Sequence, residues 1–105
     1  MGYTIEEIKS LISTHFGLKG SVSQLPGEID LNYLLTLPQG ERRTFKIANA
    51  KEKIEILEFQ NALMSHLASA NLGLEIPEIV SSLEGKAITI IQGKESESRF
   101  IRMLT

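Results

Sequence analysis

The strongest constraint on the fold is the way turn residues divide most of the chain into short apolar segments. Pro26-Gly27, Pro38-Gln39-Gly40, Glu84-Gly85 and Gly93-Lys94 separate runs rich in apolar and β-branched residues. In residues 31–37, apolar side chains occupy every odd position, and Asn32, Leu34 and Thr36 lie between them, which is the period of a half-buried strand. Because most of the links are of hairpin length, the sequence predicts an antiparallel sheet. The predicted strands are residues 21–25, 31–37, 43–48, 79–83, 87–92 and 99–104.

Two longer segments have helical character. Thr4 and Glu7 have the spacing of a capping box, apolar residues then recur at helical spacing, and Gly17 is a natural stop, so we predict a helix over 4–16. Residues 51–70 contain neither Gly nor Pro and predict a second, longer helix. Asn71 and Gly73 favour its end.

The order of elements favours an α+β fold in one domain of 105 residues. We expect an antiparallel sheet of about five strands, one long helix packed on it, and the N-terminal helix.

Composition excludes several classes of function. The net charge of −2 provides no basic field for nucleic acid, and the absence of cysteine removes disulfides and thiolate chemistry. No apolar stretch approaches the length of a membrane span, and Glu6 and Glu7 stand where an export signal would need an apolar core. The two histidines, His15 and His66, lack partners at metal-ligand spacing. We therefore expect a cytoplasmic protein that binds no membrane, nucleic acid or metal through this chain.

Lys46 is the first candidate functional residue. It lies within a predicted strand between Phe45 and Ile47, shortly before the long helix. A strand lysine that faces a helix can hold an ammonium against nucleotide phosphates. A lysine that extends from the exposed face of a sheet is the alternative.

Gln60 is the second candidate. It lies within the helical stripe of residues 56, 57, 63, 64 and 67, so we expect it at the middle of the buried face of the long helix. A buried amide needs a hydrogen-bond partner. That partner is either backbone at the junction of helix and sheet, or Lys46.

The segment from Gly27 to Asn32 joins two predicted strands. Its turn can offer backbone amides to phosphate oxygens, but it has one glycine and lacks the pattern of a Walker loop. Asp30 and Asn32 can equally cap a turn.

Taken in order along the chain, several short motifs resemble the N-terminal lobe of the aminoglycoside phosphotransferase and choline kinase superfamily. The resemblance covers residues 20–105 and is strongest to the hydroxylysine kinase branch, whose members are in some bacteria fused to a class III aminotransferase. The motifs are Gln24-Leu25-Pro26, Asp30-x-Asn32-Tyr33, Thr44-Phe45-Lys46-Ile47-Ala48-Asn49, Glu58-x-Gln60-Asn61, Ile76-Pro77 and Ile101-Arg102-Met103-Leu104-Thr105.

The resemblance implies an ATP-binding lobe. Lys46 matches the lysine that holds nucleotide phosphates, and Asp30 and Asn32, which follow Gly27, match the loop beside the phosphates. The family usually places a glutamate on the helix to pair with the lysine. Gln60 occupies that place here, with Glu58 as the alternative partner.

The resemblance also implies what this chain lacks. The family's catalytic aspartate and asparagine and its metal-binding aspartate lie in a C-terminal lobe, and no aspartate follows Asp30. We therefore expect no catalytic residue and no metal ligand here, ATP as the cofactor, and Mg²⁺ held mainly by the C-terminal lobe. The expected function is the ATP-binding lobe of a kinase for a hydroxyl of a small amine-bearing metabolite, inactive alone. A non-catalytic α+β protein-interaction module is the alternative.

Overall fold

A computed structural model describes residues 3–26, 31–49, 51–70, 77–92 and 97–105. Within these ranges, two helices and six strands follow one another. They are α1 (Ile5–Phe16), β1 (Ser21–Leu25), β2 (Leu31–Thr36), β3 (Arg42–Ile47), α2 (Ile54–Ser69), β4 (Ile79–Val80), β5 (Thr89–Gln92) and β6 (Ser98–Leu104).

Helix α1 ends at the predicted residue, and Thr4, the predicted first residue, is its N-cap. The Thr4 hydroxyl accepts a hydrogen bond from the Glu7 amide at 3.1 Å, and the Glu7 carboxylate accepts one from the Thr4 amide at 2.8 Å. The helix ends at Gly17, whose positive φ of 68° suits glycine. The predicted capping box is therefore confirmed.

All six strands form one antiparallel sheet. Strands β1, β2 and β3 are successive neighbours, and β6 then pairs with β3. The other edge of β6 pairs with β5 along its first half and with β4 at its end. The architecture confirms the predicted α+β fold, with six strands where we expected about five.

The main core lies between the sheet and α1. Ile8, Ile12 and Phe16 of α1 pack against one face of β2, β3, β5 and β6. Because side chains alternate along a strand, this face takes every second residue. Those residues are Tyr33, Leu35, Phe45, Ile47, Ile91, Ile101 and Met103.

Helix α2 is shorter than predicted, since it runs from Ile54 to Ser69 rather than over 51–70. Asn49 forms a turn before the helix: its side chain accepts from the Lys51 amide and its carbonyl accepts from the Glu52 amide. These bonds hold the first residues outside the helix. The predicted stop residues Asn71 and Gly73 lie outside the described residues, as does the predicted turn at Gly93-Lys94.

Strands β4 and β5 are also shorter than predicted, because Ser82 organises a turn between them. Its amide donates to the Lys86 carbonyl, and its hydroxyl accepts from the amides of Glu84 and Lys86. The turn also bonds to the end of α1, through the Leu83 amide and the His15 carbonyl. Neither helix, within the ranges described, has the length and apolar character needed to cross a membrane.

Candidate functional site

A row of polar side chains crosses the sheet on the face opposite α1. Asn32 of β2 is the Cα partner of Lys46 of β3, and Lys46 is the Cα partner of Arg102 of β6. Their strand neighbours Tyr33, Phe45 and Met103 belong to the α1 core. The alternation of strand side chains therefore places this row on the other face, where α2 lies.

Lys46 is half-buried within this row. Its ammonium Nζ donates a hydrogen bond to the Asn32 carboxamide oxygen at 2.9 Å. The ammonium is therefore directed toward the neighbouring strand β2.

Arg102 is the third member of the row, and 4% of it is exposed. Its guanidinium reaches two consecutive residues of α2. Nη1 donates to Asn61 Oδ1 at 2.8 Å, and Nη2 donates to Gln60 Oε1 at 3.1 Å. Arg102 thus joins the central sheet to the long helix.

The predicted position of Gln60 was wrong. Gln60 is exposed, and the face of α2 that approaches the sheet carries buried Leu57 with half-buried Asn61 and Met64. The prediction failed because it averaged every apolar residue of the helix, although two of them, Ile56 and Leu63, are exposed. The described hydrogen bond of Gln60 goes to Arg102 rather than to the predicted partner, Lys46.

Apart from Asn32, no other predicted site residue makes a described contact with Lys46. Glu58 is exposed on α2 and makes no described hydrogen bond or ion pair. Gly27 and Asp30 lie outside the described residues, so the predicted phosphate loop is represented by Asn32 alone. The pairing of Asn32 with Lys46 was not predicted, because it depends on the register between β2 and β3.

Sequence analysis missed Arg102 and Asn61 as members of the site. The sequence does contain an indication, since Arg102 interrupts the apolar run from Ile101 to Leu104. A charged residue at a buried strand position requires a partner. Its partners lie about forty positions earlier in the chain, and only the tertiary fold brings them together.

A second row on the same face is more apolar. Leu34, Thr44 and Leu104 are Cα partners across β2, β3 and β6, and all three are half-buried. They lie two residues along each strand from the polar row, a separation of roughly 7 Å. This face therefore carries a largely apolar row beside two cationic side chains.

Two positively charged side chains lie next to each other in the polar row. Lys46 and Arg102 are like charges at directly opposite positions of neighbouring strands, an arrangement that is unfavourable by itself. Their described partners are the neutral amides of Asn32, Gln60 and Asn61. Within the described ranges, no three acidic, histidine or cysteine side chains form a group that could hold a metal ion.

No protein-family model matches the sequence, and no curated protein sequence matches it at a significant level. The fold does match solved structures. One is the amicoumacin kinase hAmiN, solved in complex with AMP-PNP, Ca²⁺ and Ami. The match has a TM-score of 0.76 at 17% identity and covers 97% of this chain. This chain spans 30% of the length of that kinase, so the likeness defines the fold of a kinase-like lobe and not of a whole enzyme.

Proposed function

We propose that this chain is the ATP-binding lobe of a small-molecule kinase. The observation that carries the proposal is Lys46, which is half-buried at the centre of the sheet and held by Asn32 on the face beneath α2. The fold match to a kinase solved with AMP-PNP adds support.

Lys46 would contact the phosphates of the nucleotide. A lysine ammonium is a compact charge with three donors, and one of them is already directed by Asn32. Restraint of the side chain before binding lowers the entropy that is lost when a phosphate arrives. Arg102 places a second positive charge next to it on the sheet.

The apolar row would receive the purine base. The side chains of Ile91 and Met103 are buried in the α1 core, so they are not part of this surface. Leu34, Thr44 and Leu104 lie on the same face as Lys46 instead. A planar base can stack on such a surface while its phosphates reach the lysine.

The phosphoryl acceptor would be a hydroxyl of a small, amine-bearing metabolite. In this proposal, the base for that hydroxyl and most ligands of Mg²⁺ come from a C-terminal lobe, which makes this chain inactive alone. ATP would supply the phosphoryl group, and this chain's own residues would hold and orient it. A cytoplasmic location and fusion to an aminotransferase are parts of the same hypothesis.

The test is a titration of the chain with MgATP, followed by amide chemical shifts in two-dimensional NMR. We expect weak binding, with a Kd of about 1 mM or higher, because one side of the cleft would be missing. Shifts should centre on Asn32, Lys46 and the apolar row of Leu34, Thr44 and Leu104. Lys46→Met should abolish them, whereas Lys19→Met, at an exposed lysine between α1 and β1, should not. Equal binding by both variants would overturn the proposal.

The second candidate function is a protein-interaction module. It is favoured by the outer side of α2, where Ile56, Phe59 and Leu63 form an apolar stripe at helical spacing and are all exposed. Substitution of Phe59 and Leu63 by serine should then abolish binding of a partner and leave the ATP-dependent shifts unchanged. Absence of any ATP response in the wild-type chain would favour this candidate.

A further inference from the structure

Arg102 lies where a charge is costly. It is 4% exposed, and its neighbours along β6, Ile101 and Met103, are fully buried. Removal of a guanidinium from water costs several kcal/mol unless its donors find acceptors. The contacts of Arg102 are therefore essential to the structure around it.

The contacts described for Arg102 are directed at α2. The two nitrogens Nη1 and Nη2 donate to the amide oxygens of Asn61 and Gln60, which are consecutive residues of that helix. Both hydrogen bonds described between α2 and the sheet come from this one guanidinium. A planar guanidinium can make both bonds at once, but a lysine ammonium cannot reproduce their geometry.

Helix α2 has few other described attachments. Leu57 is its one buried side chain in the described part of the chain, and it does not belong to the α1 core. The N-cap residue Lys53 makes no side-chain capping bond. The position of α2 on the sheet therefore depends strongly on Arg102.

Arg102 also bears on the position of Lys46. The two are Cα partners, and the Cβ atoms of such partners lie about 4.5–5.5 Å apart. Like charges on directly opposite residues of neighbouring strands repel each other. When Asn61 and Gln60 draw the guanidinium toward α2, the ammonium is favoured on the side of Asn32, where it is found.

We propose that Arg102 is a positioning residue, which fixes α2 to the sheet through Asn61 and Gln60 and thereby directs Lys46 toward the phosphate site. The part that concerns phosphate rests on the function proposed above. The proposed effect of Arg102 on Lys46 and α2 is independent of that function.

The test uses three variants of the whole chain. Arg102→Lys keeps the positive charge but loses the planar guanidinium that bonds Asn61 and Gln60 at once. Asn61→Ala removes one acceptor and leaves β6 intact, so the test does not depend on Arg102→Lys folding. Arg99→Lys is the matched control, because Arg99 is on the same strand but on the other face, and bonds Glu97.

The first measurement needs no nucleotide. We expect Arg102→Lys and Asn61→Ala to move the side-chain ¹⁵Nζ resonance of Lys46 and to accelerate amide hydrogen exchange within α2 by about tenfold. Arg99→Lys should do neither. Asn61→Ala is the diagnostic variant, because the described bond of Asn61 goes to Arg102 and not to Lys46. An unmoved Lys46 resonance in that variant would overturn the inference.

The second measurement is the affinity for MgATP. We expect about tenfold weaker binding by Arg102→Lys and unchanged binding by Arg99→Lys. Wild-type binding of ATP together with equal binding by Arg102→Lys would reduce Arg102 to a structural role. If the wild-type chain does not respond to ATP, the proposed function fails, while the Lys46 resonance still decides whether Arg102 positions that lysine.

Discussion

The two faces of the sheet are built differently. The face toward α1 is an apolar core in which Phe45, Ile47 and Ile101 are fully buried. The face toward α2 carries the polar row Asn32, Lys46 and Arg102, whose described contacts are hydrogen bonds. Apolar burial is the main source of folding stability, whereas directed polar groups provide specificity. We infer that the α1 face provides most of the stability, whereas the α2 face carries the proposed site.

The same contrast separates the two helices. Helix α1 has a complete capping box and three buried side chains, and its closing residue is a glycine in the left-handed conformation. Helix α2 is longer, yet it has a single buried side chain among those described and no side-chain cap at Lys53. A helix with few apolar contacts can be held or displaced by a few polar bonds, and this property gives Arg102 its importance.

The largest expected effect is on the free energy of unfolding, and it appears when two phenylalanines, one on each side of this contrast, are replaced in turn. Phe45 is fully buried and packs edge-on against Phe16, with ring centroids 6.1 Å apart, whereas Phe59 on α2 is 67% exposed. Phe45→Ala should lower the free energy of unfolding by about 3–5 kcal/mol, and Phe59→Ala should change it by less than about 0.5 kcal/mol. Urea denaturation followed by circular dichroism measures both. If Phe45→Ala leaves no folded protein, Phe45→Leu gives a graded loss, and similar losses at positions 45 and 59 would contradict the contrast.

A smaller effect is expected on the α2 face. Leu57 is 1% exposed, and its replacement by alanine should lower the free energy of unfolding by about 2–3 kcal/mol, near the low end for leucine because it lies outside the apolar core of the α1 face. Leu63, which is 46% exposed on the same helix, is the control and should lose less than about 1 kcal/mol as alanine. A loss at Leu57 that equals the loss at Phe45 would mean that the two faces contribute similarly to stability.

The smallest expected effect is a pH dependence of stability that arises from Tyr33 on the α1 face. Burial raises the pKa of the Tyr33 hydroxyl above its ordinary value of 10.0, and the nearby Tyr3 raises this pKa further. The folded state therefore favours the neutral form, so this contribution to stability is complete below the unfolded pKa and is lost as the pH rises through the folded pKa.

Tyr33→Phe should lack this loss. We expect the difference in unfolding free energy between wild type and Tyr33→Phe to be constant below about pH 10 and to shift against the wild type above it. Titration of groups that both proteins share cancels in the difference. Urea denaturation at a series of pH values measures it, and a difference that does not change with pH would show that Tyr33 titrates alike in both states.

Much of the fold could be predicted from local sequence. Thr4, Glu7 and Gly17 define both ends of α1, because capping depends on residues within one turn of each other. The positions of β1, β2 and β3 followed from alternation and turn residues. The lengths of β4 and β5 were overestimated, because the apolar runs did not indicate that Ser82 would form hydrogen bonds in the turn between these strands.

The candidate site could be predicted only in part. Lys46 was identified because it lies in a predicted strand shortly before the long helix, but its described partner, Asn32, is set by strand register. Gln60 was placed on the wrong face because the prediction counted Ile56 and Leu63, which are exposed, as part of the buried stripe of α2.

By itself, the sequence determined the elements that depend on neighbours a few residues apart: the capped helix, the alternating strands and the turns between them. Tertiary structure alone decided that Arg102 would meet Asn61 and Gln60, and that Lys46 would lie between Asn32 and Arg102. The physical reason is that a buried charge needs acceptors but does not specify where in the chain they come from. Sheet register and helix docking determine which residues supply those acceptors.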